Sequence, residues 1–293
     1  MFNPFKENID QKLDDRHFIT KALNGDADAL ESLILRHQSW IFNIALNMTG
    51  DVNNAQDVTQ EVLIKMITKL SSYDPGISAF RTWLYRIVLN HVLSMKENQK
   101  EKVMSGFAAR AMDTDWIGIE PDRRKASRPD YAVIAEETKI SCILCTLLSL
   151  NRRDRFIFIL GAILGVGDDV GSEICGITRS NFRKIVSRSR KNIYGFFDKN
   201  CSLLKENNPC KCGKQSTLMI KAGLFDPANP VLEQDSLGTI REMLGTAVSA
   251  MEGCYYEFNA LFSDQPFLKG PDMVKWLRDT LKRNDMQSLL SLN

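Results

Sequence analysis

Residues 51–96, DVNNAQDVTQEVLIKMITKLSSYDPGISAFRTWLYRIVLNHVLSMK, decide the fold. Ala55, Val58, Val62, Met66, Ile67 and Leu70 recur at helical spacing, which predicts an amphipathic helix with one buried stripe. Phe80, Leu84, Ile87, Val88, His91 and Met95 predict a second helix. Between them, Ser71-Ser72-Tyr73-Asp74-Pro75-Gly76 carries strong turn chemistry. On the first helix Asp57, Gln60 and Glu61 share a face away from the stripe, since residues three and four apart are neighbours. On the second, Trp83, Arg86 and Asn90 stack on a different side. A helical hairpin with decorated solvent faces accounts for the periodicity. It leaves unexplained why two polar faces coincide with an aromatic and basic loop.

Upstream, residues 17–23 predict a short lead-in helix behind a loose N-terminal arm. Gly25-Asp26 reads as a stop followed by an N-cap. Leu30, Leu33, Ile34, Ile41, Ile44, Ala45 and Met48 then predict a long helix ending at Thr49-Gly50 and packing on the central pair. His37 and His91 lie on or beside apolar stripes with no second ligand at metal spacing, so both read as hydrogen-bonded core histidines.

Downstream of Lys96 the periodicity dissolves. Residues 99–130 mix charge with Pro121, Arg123-Arg124-Lys125 and Arg128-Pro129, the composition of a linker. Trp116 and Ile117 within it could equally dock on a partner or pin the linker to a domain. Helices resume near Tyr131, where Ile140, Ile143, Leu144, Leu147 and Leu148 form a stripe. Cys142 and Cys145 fall inside that apolar helix and read as packing residues.

Residues 167–193 have helix-turn-helix grammar. A short helix runs through Glu173-Ile174-Cys175, a turn follows at Gly176-Ile177, and Thr178 can cap a second helix that turns Phe182, Ile185, Val186 and Ile193 inward. That helix also carries Arg179, Arg183, Lys184, Arg188, Arg190 and Lys191, with no acid between Ile174 and Phe197. Such a helix can hold phosphates while its first residues face base edges. A solvated basic face on a core helix is the bland alternative.

These two segments resemble the sigma-70 family of bacterial RNA polymerase sigma factors, closest to the extracytoplasmic-function (ECF) group. Residues 54–61 with Arg81-Thr82-Trp83-Leu84-Tyr85-Arg86-Ile87 and Asn90 resemble region 2, and Asp28-Ala29-Leu30 with Arg36 its opening helix. Ser187-Arg188-Ser189-Arg190-Lys191 resembles the basic close of region 4. Two departures stand out: Gly171 falls where the leading helix usually has an apolar residue, and Asn181-Phe182 replace a small β-branched pair.

The resemblance implies an all-α protein of two helical domains joined by a flexible linker, with a small helical C-terminal extension. Region 2 would occupy residues 1–98, the linker 99–136, region 4 137–200 and the extension 201–293. It implies that Asp57, Gln60 and Glu61 help dock the β′ clamp of core RNA polymerase, with the β flap as a further contact. Tyr73, Phe80, Trp83, Arg86 and Asn90 would separate strands and hold −10 bases, by stacking and cationic contacts. Trp83 reads equally well as a core residue. Arg179, Ser180, Asn181, Arg183 and Lys184 would meet −35 bases and nearby phosphates, and Ser187, Arg188 and Lys191 the backbone. Promoter DNA, polymerase and an anti-sigma factor are the implied partners.

In the tail, Cys210-Lys211-Cys212 with Cys201 upstream makes a loose thiolate set that could chelate zinc, and no histidine follows His91. Otherwise no cofactor is expected. Residues 237–262 and 271–290 predict two further helices of regulatory character, with Pro271 in a first turn and Tyr255, Tyr256, Phe258 and Phe262 as packing residues. Composition sets outer limits. Net charge is +2, so nucleic-acid binding must come from local clustering. No apolar run reaches the roughly 20 residues that span a bilayer. Seven scattered cysteines suit the reducing cytosol better than an extracellular disulfide framework. No Gly-rich phosphate loop, HExxH or supported acid–base pair is present, so no enzyme is expected. A stand-alone helix-turn-helix regulator and a metal- or redox-responsive regulator are the competing readings.

Overall fold

The computed structural model describes residues 15–98, 101–102, 146–202, 206–211, 220 and 273–275. The predicted linker apart from Glu101 and Lys102, the Cys142–Cys145 helix, Trp116, Ile117 and nearly all of the extension lie outside these residues. What is described is helical: α1 (Asp15–Leu23), α2 (Ala27–Thr49), α3 (Val52–Thr68), a 3-10 turn at Leu70–Ser72, α4 (Phe80–Ser94), α5 (Arg152–Phe158) with a π turn at Ile159–Ile163, α6 (Asp168–Cys175) and α7 (Arg179–Asn200).

The helix starts follow the local chemistry. Asp26 accepts from the Ala29 N–H at 3.0 Å and Asp51 from the Asn54 N–H at 3.0 Å, each satisfying a first-turn donor that has no partner within its helix. Gly50 ends α2 in the left-handed region (φ 65°), which lets the chain reverse into α3. Helix α2 is amphipathic in its first half and buried all round from Trp40 to Thr49. The change has a tertiary cause: α1, α3 and α4 pack on α2, and α5 packs on it as well.

The stripe residues Ala55, Val58, Val62 and Met66 of α3, and Phe80, Leu84 and Val88 of α4, are buried as expected. His37 is fully buried: its Nε2 donates to Asp15 Oδ2 at 3.2 Å and its ring meets Phe80 edge-on. His91 departs from the expectation. It is half-buried beside α3, where the Lys65 ammonium donates to its Nδ1 at 2.6 Å. Tyr85 and Val92 take the inner positions instead.

The two halves of the chain are joined through Glu101, which is 3% exposed. Its carboxylate accepts from Arg152 Nε at 2.9 Å and Nη2 at 2.7 Å, and from Arg155 Nη1 at 2.8 Å. The same guanidinium groups cap helix ends. Arg152 donates to the carbonyls of Val92, Met95 and Lys96 at the end of α4, and Arg155 to that of Met48 near the end of α2. The last carbonyls of a helix lack partners and sit at its negative pole, so a cation is favoured there.

Asp15 and Glu101 both titrate below the usual carboxylate range. Burial pushes each carboxyl up, and the bonds and charges of His37 and Arg36 on Asp15, and of Arg152 and Arg155 on Glu101, more than offset it. A depressed folded pKa makes the carboxylate stabilise the fold above the unfolded value of about 4 and lose that contribution as pH falls through the folded value. The urea midpoint should therefore drop below about pH 4, and the drop should shrink in Asp15→Asn.

Candidate nucleic-acid interface

Helix α6 ends at Gly176, whose φ of 61° lies in the left-handed region that side chains with a Cβ disfavour. The Ile177 N–H donates to the Ser172 carbonyl at 3.0 Å and closes the turn. Thr178 then accepts from the Asn181 N–H at 3.2 Å and starts α7. Phe182, Ile193 and Phe197 of α7 point into the core. Arg179, Ser180, Asn181, Arg183, Lys184, Ser187, Arg188 and Lys191 are all exposed along it. Arg183 pairs with Asp168 at 3.2 Å and Arg188 with Asp154 at 2.8 Å, both with largely exposed guanidinium groups. Exposed pairs of this kind are worth only about 0–1 kcal/mol, so a phosphate can replace the carboxylate.

The two departures in this segment explain each other. A Cβ at Gly171 would stand 2.3 Å from Phe182 Cζ. The phenyl ring fills the space that an apolar side chain on α6 would occupy, and the geometry of the leading helix is kept. Gly161, in the π turn, gives the same ring its other wall: a Cβ there would meet Val186 Cγ2 at 2.7 Å and Phe182 Cε1 at 3.0 Å.

In the first half, Asp57, Gln60 and Glu61 are set on α3, with Asp57 and Glu61 exposed and Gln60 partly buried between them. The aromatic residues of the loop and α4 differ in exposure. Tyr73 and Phe80 are buried, the Tyr73 hydroxyl donates to the Ser78 carbonyl at 3.1 Å, and their rings meet edge-on at 5.3 Å. Both pack in the core: the His37 ring meets Phe80 edge-on, and α1 contacts the 3-10 turn that precedes Tyr73. Trp83 stacks on Phe80 at 5.5 Å and is half-buried, so one part of its ring packs and another remains accessible. Asn90 is exposed. Arg86 reaches across to α6, where Nε and Nη2 donate to the Glu173 carbonyl at 3.1 and 2.8 Å. Thr82 donates to the Glu173 carboxylate at 3.4 Å.

Sequence reasoning passes over Glu173, Arg152, Arg155 and Ile77. Ile77 is 78% exposed at the tip of the α3–α4 loop. Its signal is an isoleucine after Pro-Gly with no stripe to join.

Cys201 and Cys210 are brought together across a β-bridge, and Cys212 lies outside the described residues. Among the described residues no group of three or more His, Cys, Asp or Glu side chains could hold a metal ion, and no helix is long and apolar enough to cross a membrane.

Residues 33–101, from α2 to Glu101, match the Sigma-70 region 2 family. The chain is 38% identical over 130 residues to the RNA polymerase sigma-H factor of Pseudomonas aeruginosa, covering 42% of this chain and 67% of that protein. This chain belongs to the sigma-70 family of RNA polymerase sigma factors. Within it the relatives point to the ECF group. The ECF RNA polymerase sigma factor SigE of Mycolicibacterium smegmatis is 26% identical over 183 residues, 61% of this chain and 66% of that one. The ECF RNA polymerase sigma-E factor of Escherichia coli is 27% identical over 192 residues, 63% of this chain and 95% of that one. The chain thus spans about two thirds of the first two relatives and nearly all of the third. This sigma factor is a transcription-initiation protein by family, and its fold is all-α as the sequence predicted.

Proposed function

We propose that this sigma factor brings core RNA polymerase to promoters through two separate surfaces, with the acidic patch of α3 on the polymerase and α7 on duplex −35 DNA. The observation that carries the reading is α7 itself. Eight polar and cationic side chains stand exposed along a capped helix behind a left-handed glycine turn, the arrangement that lets one helix enter a major groove. Asp57 and Glu61 offer the β′ clamp a negative surface with no cation of α7 beside them in sequence, which suits a division of labour. Trp83, Arg86 and Asn90 are the side chains of the −10 set open enough to meet single-stranded bases. Tyr73 and Phe80 support Trp83 from below.

The packing of α4 on α6 adds a condition. While Arg86 donates to Glu173, its donors are engaged by the second unit, so −10 binding requires α4 and α6 to part. This favours a polymerase-dependent factor over a stand-alone regulator, which would bind duplex operators by itself. The extension, residues 201–293, is proposed to regulate the factor, and an anti-sigma protein is a candidate partner.

In vitro transcription with core polymerase tests the scheme. Arg183→Glu with Lys184→Glu should reduce −35-dependent transcripts by at least tenfold. The salt dependence of binding should flatten by about one unit of slope for each phosphate no longer neutralised. Glu61→Lys should abolish co-migration with core polymerase while leaving the helical spectrum intact. Tight duplex binding by the isolated chain would favour the stand-alone reading instead.

A further inference from the structure

Cys201 is the C-cap of α7, and its N–H donates to the Phe197 carbonyl at 2.8 Å. The chain then returns so that Cys210 lies opposite it in a parallel β-bridge. Backbone bonds fix the pairing: the Cys210 N–H donates to the Asn200 carbonyl at 2.9 Å, and the Ser202 N–H to the Cys210 carbonyl at 3.1 Å. Asn208 Nδ2 donates to the Cys201 carbonyl at 3.0 Å and steadies the turn between them. Bridged backbones lie about 5 Å apart. That falls inside the Cα separation of about 4.4–6.8 Å that a disulfide spans. Directly opposed residues also project from the same face of the bridge, so the two Cβ atoms share a side. Both residues are half-buried, within reach of a small solute.

We propose that Cys201 and Cys210 are an oxidisable thiol pair, converted by a hydroperoxide into a disulfide that ties the end of α7 to the turn that follows it. One thiolate attacks the peroxide O–O bond, becomes a sulfenic acid and releases the first water. The second thiol displaces the sulfenic oxygen, which leaves as the second water with the remaining proton. Two thiols and one hydrogen peroxide become one disulfide and two waters, with both electrons passing to the peroxide oxygens. A thiol reductant restores the pair by exchange. Cys175 offers a contrast inside the same domain. It is buried, and burial pushes its thiol up to about 12 against a smaller opposing effect of Arg153, so it stays protonated and inert. The disulfide would close a ring at the base of the cationic helix and fix where the C-terminal extension departs from it.

The test uses the full chain, reduced, desalted, treated with stoichiometric hydrogen peroxide, blocked with N-ethylmaleimide, digested and mapped by mass spectrometry. A peptide joining Cys201 to Cys210 is expected. It should be lost on adding dithiothreitol, absent in Cys201→Ser and kept in Cys212→Ser, with unchanged far-UV spectra in both variants. Alkylation of both thiols after peroxide, a Cys210–Cys212 or inter-chain disulfide in its place, or a stoichiometric zinc ion holding the thiols until a chelator is added would each overturn the pair. Core polymerase plays no part in this readout, so failure here leaves the promoter reading standing, and failure of that reading leaves the thiol chemistry standing.

Discussion

Gly171→Val is expected to destabilise the helix-turn-helix unit by several kcal/mol, and Phe182→Val in the same chain to recover most of the loss. The first branched carbon of the new side chain would lie 2.3 Å from Phe182 Cζ and 2.5 Å from Cε2, well inside van der Waals distance. The ring has no room to retreat, because Gly161 and Val186 stand behind it and the residue is 2% exposed. Overpacking a well-filled core costs about 1–3 kcal/mol and more where the neighbours are held. Phe182→Val alone leaves a void, and removing large parts of a buried phenylalanine costs about 3–5 kcal/mol when it is cut to alanine, less for valine. The double variant restores an apolar pair of similar volume across α6 and α7. A double-mutant cycle on urea midpoints should therefore give a favourable coupling of about 1–3 kcal/mol. Additive losses would show that the ring and the glycine do not share one space.

Glu101→Ala should lower stability by about 3–5 kcal/mol, the cost of leaving buried cations without their counter-charge. Arg155 is 3% exposed, and its Nη1 loses its only acidic partner among the described residues, while the Glu101 carboxylate is also the acceptor for the Asn98 N–H. The loss should fall on the junction. Arg152 and Arg155 hold the ends of α4 and α2, so amides near those helix ends should exchange faster while the centre of α3 stays protected. Adding Arg155→Met to Glu101→Ala should recover part of the stability, since an apolar replacement removes the stranded charge. A midpoint unchanged by Glu101→Ala would mean that the guanidinium groups are satisfied by carbonyls alone.

Legibility differs by residue. The starts of α2 and α7 are readable because a cap acts within three residues: Asp26 and Thr178 each bond the N–H three positions on. The turn at Gly176 is readable for the same reason. The cationic face of α7 needs only a run free of acids and a helical period. Phe80 reads as buried because it falls on the stripe of the second helix, whereas the loop's composition shows that the chain turns at Tyr73 and not what packs against its ring. His91 reads as core because it continues a stripe, although the stripe of α4 is rotated toward Tyr85 and Val92 where α2 and α5 meet it.

The amino-acid order alone set the helices, their caps, the helix-turn-helix and the family, since each is written in residues a few positions apart, where spacing maps directly onto a helix face. Tertiary structure decided the Glu101 junction, whose arginines stand 51 and 54 residues away along the chain, the exchange of bulk between Gly171 and Phe182, and the meeting of Cys201 with Cys210. Those pairings depend on which helix faces pack together, and a charge or a void has no periodicity from which its distant partner could be read.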